Sequence, residues 1–311
     1  MEPVVHLCSL SKAFRGGPPV LDGFDLKVDH GEVFGLIGRN GSGKTTALRI
    51  LMGLLRADHG IAHVLGQDLW QADREHRQRV AYVSQSQQLP DWLSMRELAG
   101  TSSRLYRAWS RPFFAEILKR WNLPPDRPVA SLSGGNQRLA AIALALSTRP
   151  EVLVLDEPAA GLDPIARRDL NQCLIEVLGE GSGCTIVLST HLLADLERLA
   201  TRVGIIEEGR LVAEGAVEEW QRTMRRLQIV FAQEQPPRDF SIPGAIRSRT
   251  LGPVVSALAR IEDDSQLDGI RAIEGARVYV FPLTLEELFV DWFQGTPTLE
   301  THLTHPSRPH G

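Results

Sequence analysis

The sequence predicts an α/β fold built around a parallel sheet, and two stretches carry the prediction. Residues 33–52 run from the apolar "VFGLI" through the glycine-rich "GRNGSGK" into "TTALRILM", whose apolar residues recur at helical spacing. Residues 152–157, "VLVLDE", read as a strand buried on both faces that ends in two carboxylates. The chain has 311 residues, 43% of them hydrophobic and 23% charged, which suits one large domain with an appendage or two domains. A net charge of -4 exerts no global pull toward nucleic acid, and no nucleic-acid partner is expected.

The amino-terminal "MEPVVHLCSLSKAF" has no basic segment followed by an apolar core, so no secretory signal is expected. The longest apolar run, Leu139 to Leu146, falls far short of the roughly 20 residues that cross a bilayer. A cytosolic chain is expected. Cys8, Cys173 and Cys184 lack metal-ligand spacing and read as reduced thiols.

Residues 38–46, "GRNGSGKTT", fit the P-loop pattern G-x-x-x-x-G-K-[ST] in the context it requires, between a strand and a helix. Gly38, Gly41 and Gly43, with Asn40 and Ser42 between them, would let the backbone wrap phosphates. Lys44 would neutralise the outer phosphates, and Thr45, with Thr46 close by, would offer its hydroxyl to Mg2+. Asp156, at the end of the second strand, would hold that metal through water. Glu157, one residue on, would point at the γ-phosphate and orient or deprotonate the attacking water. His191 ends another strand-like run, "CTIVLSTH", and would contact the γ-phosphate and Glu157. Gln85 ends "AYVSQ", where its amide would reach the metal or the water.

Residues 132–137, "LSGGNQ", open the apolar helical run "RLAAIALALS". Ser133 there is either an ordinary helix N-cap or, with Gly134 and Gly135, part of a bare helix terminus that binds an anion.

In this order, the P-loop, Gln85, "LSGGNQ", "LVLDE" and "STH" make residues 2 to 220 resemble the ATP-binding subunits of ABC transporters. The resemblance implies a P-loop ATPase core of parallel α/β type, an antiparallel β part near the amino terminus, and a helical subdomain inserted at about 86–148. It also implies ATP and Mg2+, and a head-to-tail dimer with a second ATP-binding subunit, expected to be an identical copy. In that dimer Ser133, Gly134 and Gly135 would bind the γ-phosphate of ATP held by the partner. The family pattern is L-S-G-G-Q, and Asn136 here precedes Gln137, so no family role is carried to the fifth position. "AGLDP" resembles the loop that links the two ATP sites, with Asp163 as its carboxylate. Asp163 and Pro164 also form a helix N-cap and first turn, ahead of the stripe Leu170, Cys173, Leu174, Val177 and Leu178. Phe14 falls where the family stacks an aromatic on adenine, or it is an ordinary core or exposed phenylalanine.

Between Gln85 and Ser133, proline-bounded segments with Phe114, Ile117, Leu118 and Trp121 fit the helical insert. In the family this insert receives a cytoplasmic helix of a separate multi-span permease. Leu89, Trp92 and Leu93 would line that groove or pack within the insert. "RVGIIEEGRLVAEG" reads as a hairpin turning at Glu208 and Gly209.

From residue 222 to 295 the sequence reads as a small α+β extension. It has a basic helical stretch around "QRTMRRL", a short strand, a proline-broken loop, strands in "LGPVVSALARI" and "ARVYVF", and a final helix. Thr284 and Glu287 form a capping box for that helix; Leu285, Leu288, Phe289, Trp292 and Phe293 make its apolar stripe, and Gly295 stops it. Tails with a similar helix occur in the ATPase subunits of bacterial drug and bacteriocin exporters, which points to export at the cytoplasmic face of a bacterial membrane. Residues 296–311 are polar and proline-rich and are expected to be disordered, with His302, His305 and His310 too irregular for a metal site. The rival class, a soluble factor acting on ribosomes or DNA, usually carries two cassettes or a long coiled coil; this chain has one P-loop and no sustained heptads.

Overall fold

Strands β1 (Val5–Ala13) and β2 (Pro19–Val28) pair antiparallel and turn Val5, Leu7, Leu21, Phe24, Leu26 and Val28 into the core. Ser9, at φ 49, inserts an extra residue, and beyond this bulge Leu10 is again buried. The computed structural model describes residues 2–86, 88–179, 183–232, 236–237 and 240–294. Strand β3 (Val33–Ile37), buried throughout, feeds the glycine loop and helix α1 (Lys44–Leu51). Strand β4 (His59–Val64) returns to β1, so the amino-terminal sheet has the order β2-β1-β4.

Helix α2 (Arg74–Arg77) precedes strand β5 (Val80–Val83). The helical insert follows as α3 (Met95–Leu105), α4 (Arg111–Arg120) and α5 (Gly134–Ser147). Ser94 and Glu97 cap α3 as a capping box, and Ser110 caps α4 ahead of Pro112. Phe114, Ile117, Leu118 and Trp121 are buried within the insert. The chain then re-enters the sheet as β6 (Val152–Asp156), followed by α6 (Pro164–Gly179), β7 (Thr185–Ser189), α7 (Leu193–Leu199), β8 (Arg202–Glu207) and β9 (Arg210–Ala216). Glu208 and Gly209 make the expected two-residue turn between β8 and β9, at φ 48 and 77.

The main sheet has the order β5-β6-β7-β3-β8-β9, with parallel pairing from β5 to β8. Register decides what this sheet can do. Asp156 pairs with Ser189, and Leu36 pairs with Ser189 from the other side, so β3, β6 and β7 end together. The loops that leave those ends share one edge, as open α/β sheets require of a ligand site.

The chain divides between Gly215 and Ala216 into two compact units. The second unit begins with helix α8 (Val217–Thr223), six residues before the expected boundary after Gln221, because Val217 and Trp220 bury themselves there and α8 packs on the last helix of that unit. The expected helical stretch is short: α8 stops at Thr223, and strand β10 (Met224–Phe231) begins at once and carries Arg225 and Arg226. Met224 and Leu227 are buried, Arg225 reaches the carbonyl of Met224, and Arg226 reaches Asp291 of the last helix. Strands β11 (Ala245–Leu251) and β12 (Val254–Arg260), the short helix α9 (Asp268–Arg271), strand β13 (Ala276–Pro282) and helix α10 (Leu285–Gln294) complete the unit. Its sheet order is β11-β12-β10-β13. Leu227, Ile229, Val255, Ala259, Leu267 and Ile270 form its core. The Thr284–Glu287 capping box is present, and Leu285, Leu288 and Trp292 are buried, whereas Phe289 and Phe293 are half-buried and stack at 4.6 Å. Gly295, the tail 296–311 and its three histidines lie outside the described residues. Among the described residues no helix is long and apolar enough to cross a membrane.

Candidate active site

The glycine loop folds tightly because two of its positions have no room for a side chain. A Cβ at Gly38 would lie 2.7 Å from the carbonyl of Ile206, and one at Gly43 would lie 2.7 Å from that of Val20. Gly43 also sits at φ 109, closed to other residues, and caps α1 without any side-chain hydrogen bond. The first amides of α1 therefore face the loop's concavity bare, in the arrangement that accepts an anion. Asn40 and Gly41 are exposed at the tip, Ser42 is buried, and Thr45 and Thr46 are half-buried on the first turn.

Lys44 spans the loop from beneath. Its ammonium is buried and donates to the carbonyls of Gly38, at 2.7 Å, and Arg39, at 3.1 Å. Burial lowers its pKa, and the charges of Glu157 and Asp156 act against that shift. A lysine whose hydrogen bonds among the described residues all go to carbonyls keeps its charge available to an incoming phosphate.

Asp156 is 1% exposed at the end of β6. Its Oδ1 accepts the Ser189 hydroxyl at 2.5 Å, while Oδ2 is buried with no hydrogen-bond partner among the described residues. Ser42 Oγ is orphaned in the same way. Buried oxygens without partners are costly, and hard oxygen donors beside a phosphate loop fit Mg2+. Tyr82, which pairs with Val154 across β5 and β6, feels the same charge: burial first, and then Asp156, push its phenol up to about 12.

Glu157 leaves the strand at φ 52, a left-handed conformation rare for glutamate and associated with functional strain. Its amide donates to the Ser189 carbonyl at 3.0 Å and to the Ser189 hydroxyl at 3.2 Å. Its carboxylate meets His191 Nδ1 at 2.6 Å and accepts the His191 amide at 3.3 Å. Glu157 is buried and the His191 ring is exposed, so the pair presents one hidden carboxylate through one accessible imidazole. The structure therefore brings Lys44, Asp156, Glu157 and His191 to a common edge.

The remaining candidates stand further out. Gln85 enters through its main chain: its carbonyl and that of Ser84 accept the Arg138 guanidinium, and its side chain is exposed. Ser133 caps α5 by accepting from the Asn136 amide at 3.2 Å, so the ordinary N-cap reading holds. Ser133 and Gly134 are also exposed, with nothing within 4 Å of a Cβ at Gly134, so the terminus is open to an outside ligand. Gln137 ties the loop down through the carbonyls of Val129 and Leu132. Asp163 caps α6, accepting from Ile165 and Ala166, each at 2.9 Å. Phe14 is 50% exposed with the Lys12 ammonium 5.8 Å from its ring centre. Trp92 is exposed, with Leu89 and Leu93 half-buried beside it.

Two residues escaped the sequence reading. Ser189 is buried and bonds both Asp156 and Glu157; a polar residue closing the apolar run "TIVL" is its signal. Arg138 joins α5 to the end of β5, and burial lowers its pKa while Asp156 and Glu157 act against that. Nothing local in "NQRLAA" marks it.

A family model for the ABC transporter matches residues 21–160. The chain is 28% identical over 298 residues to the ABC transporter ATP-binding protein YtrB of Bacillus subtilis (strain 168), covering 94% of this chain and 99% of the relative. It is 38% identical over 220 residues to Nod factor export ATP-binding protein I of Paraburkholderia xenovorans (strain LB400), covering 69% of this chain and 71% of that one. Among solved structures, a dimeric ATP-binding cassette in a post-hydrolysis state, bound to ADP and Pi, matches with a TM-score of 0.61 and 25% identity over 68% of this chain and 98% of that one. The fold, the phosphate loop and these relatives agree: the chain belongs to the ABC transporters, as one of their ATP-binding subunits.

Proposed function

We propose that this ATPase drives export through a separate multi-span permease at the cytoplasmic face of the membrane, and that two copies of the chain close head-to-tail on two ATP molecules. The observation that carries the reading is the set of buried charges left ready for a ligand: Lys44 on carbonyls only, Asp156 with one oxygen bare, and Glu157 held by His191.

The loop amides and Lys44 bind the phosphates, the Lys44 ammonium exchanging its carbonyl partners for phosphate oxygens. Thr45, Asp156 and Gln85 are the residues that would hold Mg2+, which supplies charge neutralisation at the phosphates when bound. Glu157 takes the proton of the attacking water, and His191 fixes the direction of its carboxylate. Phe14 stacks on adenine. Ser133, Gly134 and Gly135 face the γ-phosphate held by the partner copy, which their exposure permits, and Asp163 lies on the loop between the two sites. Loss of the γ-phosphate removes the contacts that favour closure. The export direction rests on the Nod factor export relative, and the permease on the family; exposed Trp92 supplies apolar surface for it.

The test is Glu157→Gln. The variant is expected to bind ATP with ordinary affinity, lose nearly all steady-state hydrolysis and accumulate as an ATP-bound dimer on gel filtration. Captured from membranes in that state, it should bring a stoichiometric multi-span protein with it. Unchanged turnover would remove Glu157 from the mechanism, and a trapped dimer that carries ribosomal proteins and no membrane protein would overturn the transporter reading.

A further inference from the structure

We infer that Ser189 is a positioning residue for the metal: its hydroxyl turns Asp156 so that one carboxylate oxygen is committed to the protein and the other is left to Mg2+. The inference rests on the reading of the site above and deepens it. Ser189 closes β7 in direct register with Asp156, and its side chain has no contact with solvent. The hydroxyl donates to Asp156 Oδ1 at 2.5 Å and accepts from the Glu157 amide at 3.2 Å. A hydroxyl that has given its one proton to Oδ1 has none left to offer Oδ2. Asp156 is thereby anchored through a single oxygen, and Oδ2 remains buried and unpartnered. An anchored carboxylate meets a metal without first losing rotational freedom, and partners of metal-binding carboxylates commonly contribute 10–100-fold to metal affinity.

The two bonds of Ser189 differ in what replaces them. Glu157 keeps its amide bond to the Ser189 carbonyl at 3.0 Å whatever side chain stands at 189. Asp156 Oδ1 would lose the hydroxyl that holds it at 2.5 Å. Removal of the hydroxyl should therefore act on the metal and spare both the strained turn and the phosphate loop.

The experiment measures binding of a fluorescent, non-hydrolysable ATP analogue to the full chain, first in EDTA and then across a Mg2+ titration. Ser189→Ala is expected to raise the half-saturating Mg2+ concentration roughly tenfold, with affinity in EDTA within about twofold of the parent. Ser189→Thr, which keeps the hydroxyl, should restore the parent's Mg2+ dependence. An unshifted Mg2+ titration in Ser189→Ala overturns the inference. So does an equal loss of affinity in EDTA that the threonine variant fails to restore, since that marks a merely structural serine. A parent chain whose binding ignores Mg2+ altogether sinks the reading of the site itself, and this inference with it.

Discussion

Two aspartates are almost fully withdrawn from water, Asp156 at the end of β6 and Asp291 in α10, with exposures of 1% and 0%. Asp291 is closed off: Arg226, itself 13% exposed, donates to its two oxygens at 2.7 and 2.9 Å. Burial raises the Asp291 pKa, and Arg226 holds it back. Asp156 shares its surroundings with Lys44, yet Lys44 spends its protons on carbonyls and Asp156 keeps a bare oxygen. Burial alone thus says little about role. The informative quantity is how much hydrogen-bonding capacity a buried charge leaves unspent.

The same change made at both places separates a spent charge from an unspent one. Asp291→Asn would leave Arg226 buried without its counter-charge and should destabilise the second unit by about 3–5 kcal/mol, read from denaturant unfolding. Asp156→Asn keeps an oxygen for Ser189 and should change stability by less than about 1 kcal/mol, while Mg2+-dependent nucleotide binding is lost. Equal destabilisation at the two positions would mean that Asp156 is a structural charge after all.

Tyr82 reports on the Asp156 charge from the neighbouring strand, with a smaller effect. Its folded pKa of about 12 exceeds the ordinary value of 10.0, so between those two pH values the unfolded chain has released a proton that the folded chain keeps. Stability from this group is complete below pH 10 and falls as pH climbs toward 12. Tyr82→Phe should remove that slope, worth about 2–3 kcal/mol at the alkaline end, seen as the difference between the two unfolding midpoints across pH. An unchanged alkaline slope would show that Asp156 and burial do not act on the phenol.

Much of the cassette was legible because its chemistry is local. A strand, a glycine loop and a helix are adjacent in sequence, and "LVLDE" places its carboxylates by strand length alone. The hairpin at Glu208 and Gly209 and the capping box at Thr284 were equally local. Arg226 was misread because basic residues carry no strong preference between helix and strand, and its partner Asp291 lies far along the chain. Asp291 itself falls outside the stripe read as apolar, where a charge reads as solvent-facing, so periodicity hid its burial. Ser189 and Arg138 depend on which strands become neighbours, a fact fixed by the sheet order and absent from any window of sequence.

The left-handed backbone at Glu157 has a bearing on how such a chain would change under different demands. Glycine would sit at that position free of the penalty of roughly 1–2 kcal/mol that a side chain meets there. With Glu157 in the role proposed above, selection for heat endurance alone would favour a substitution that silences the ATPase, whereas selection for turnover would forbid it. A lineage that kept the protein but abandoned pumping would be expected to record the loss first at this codon.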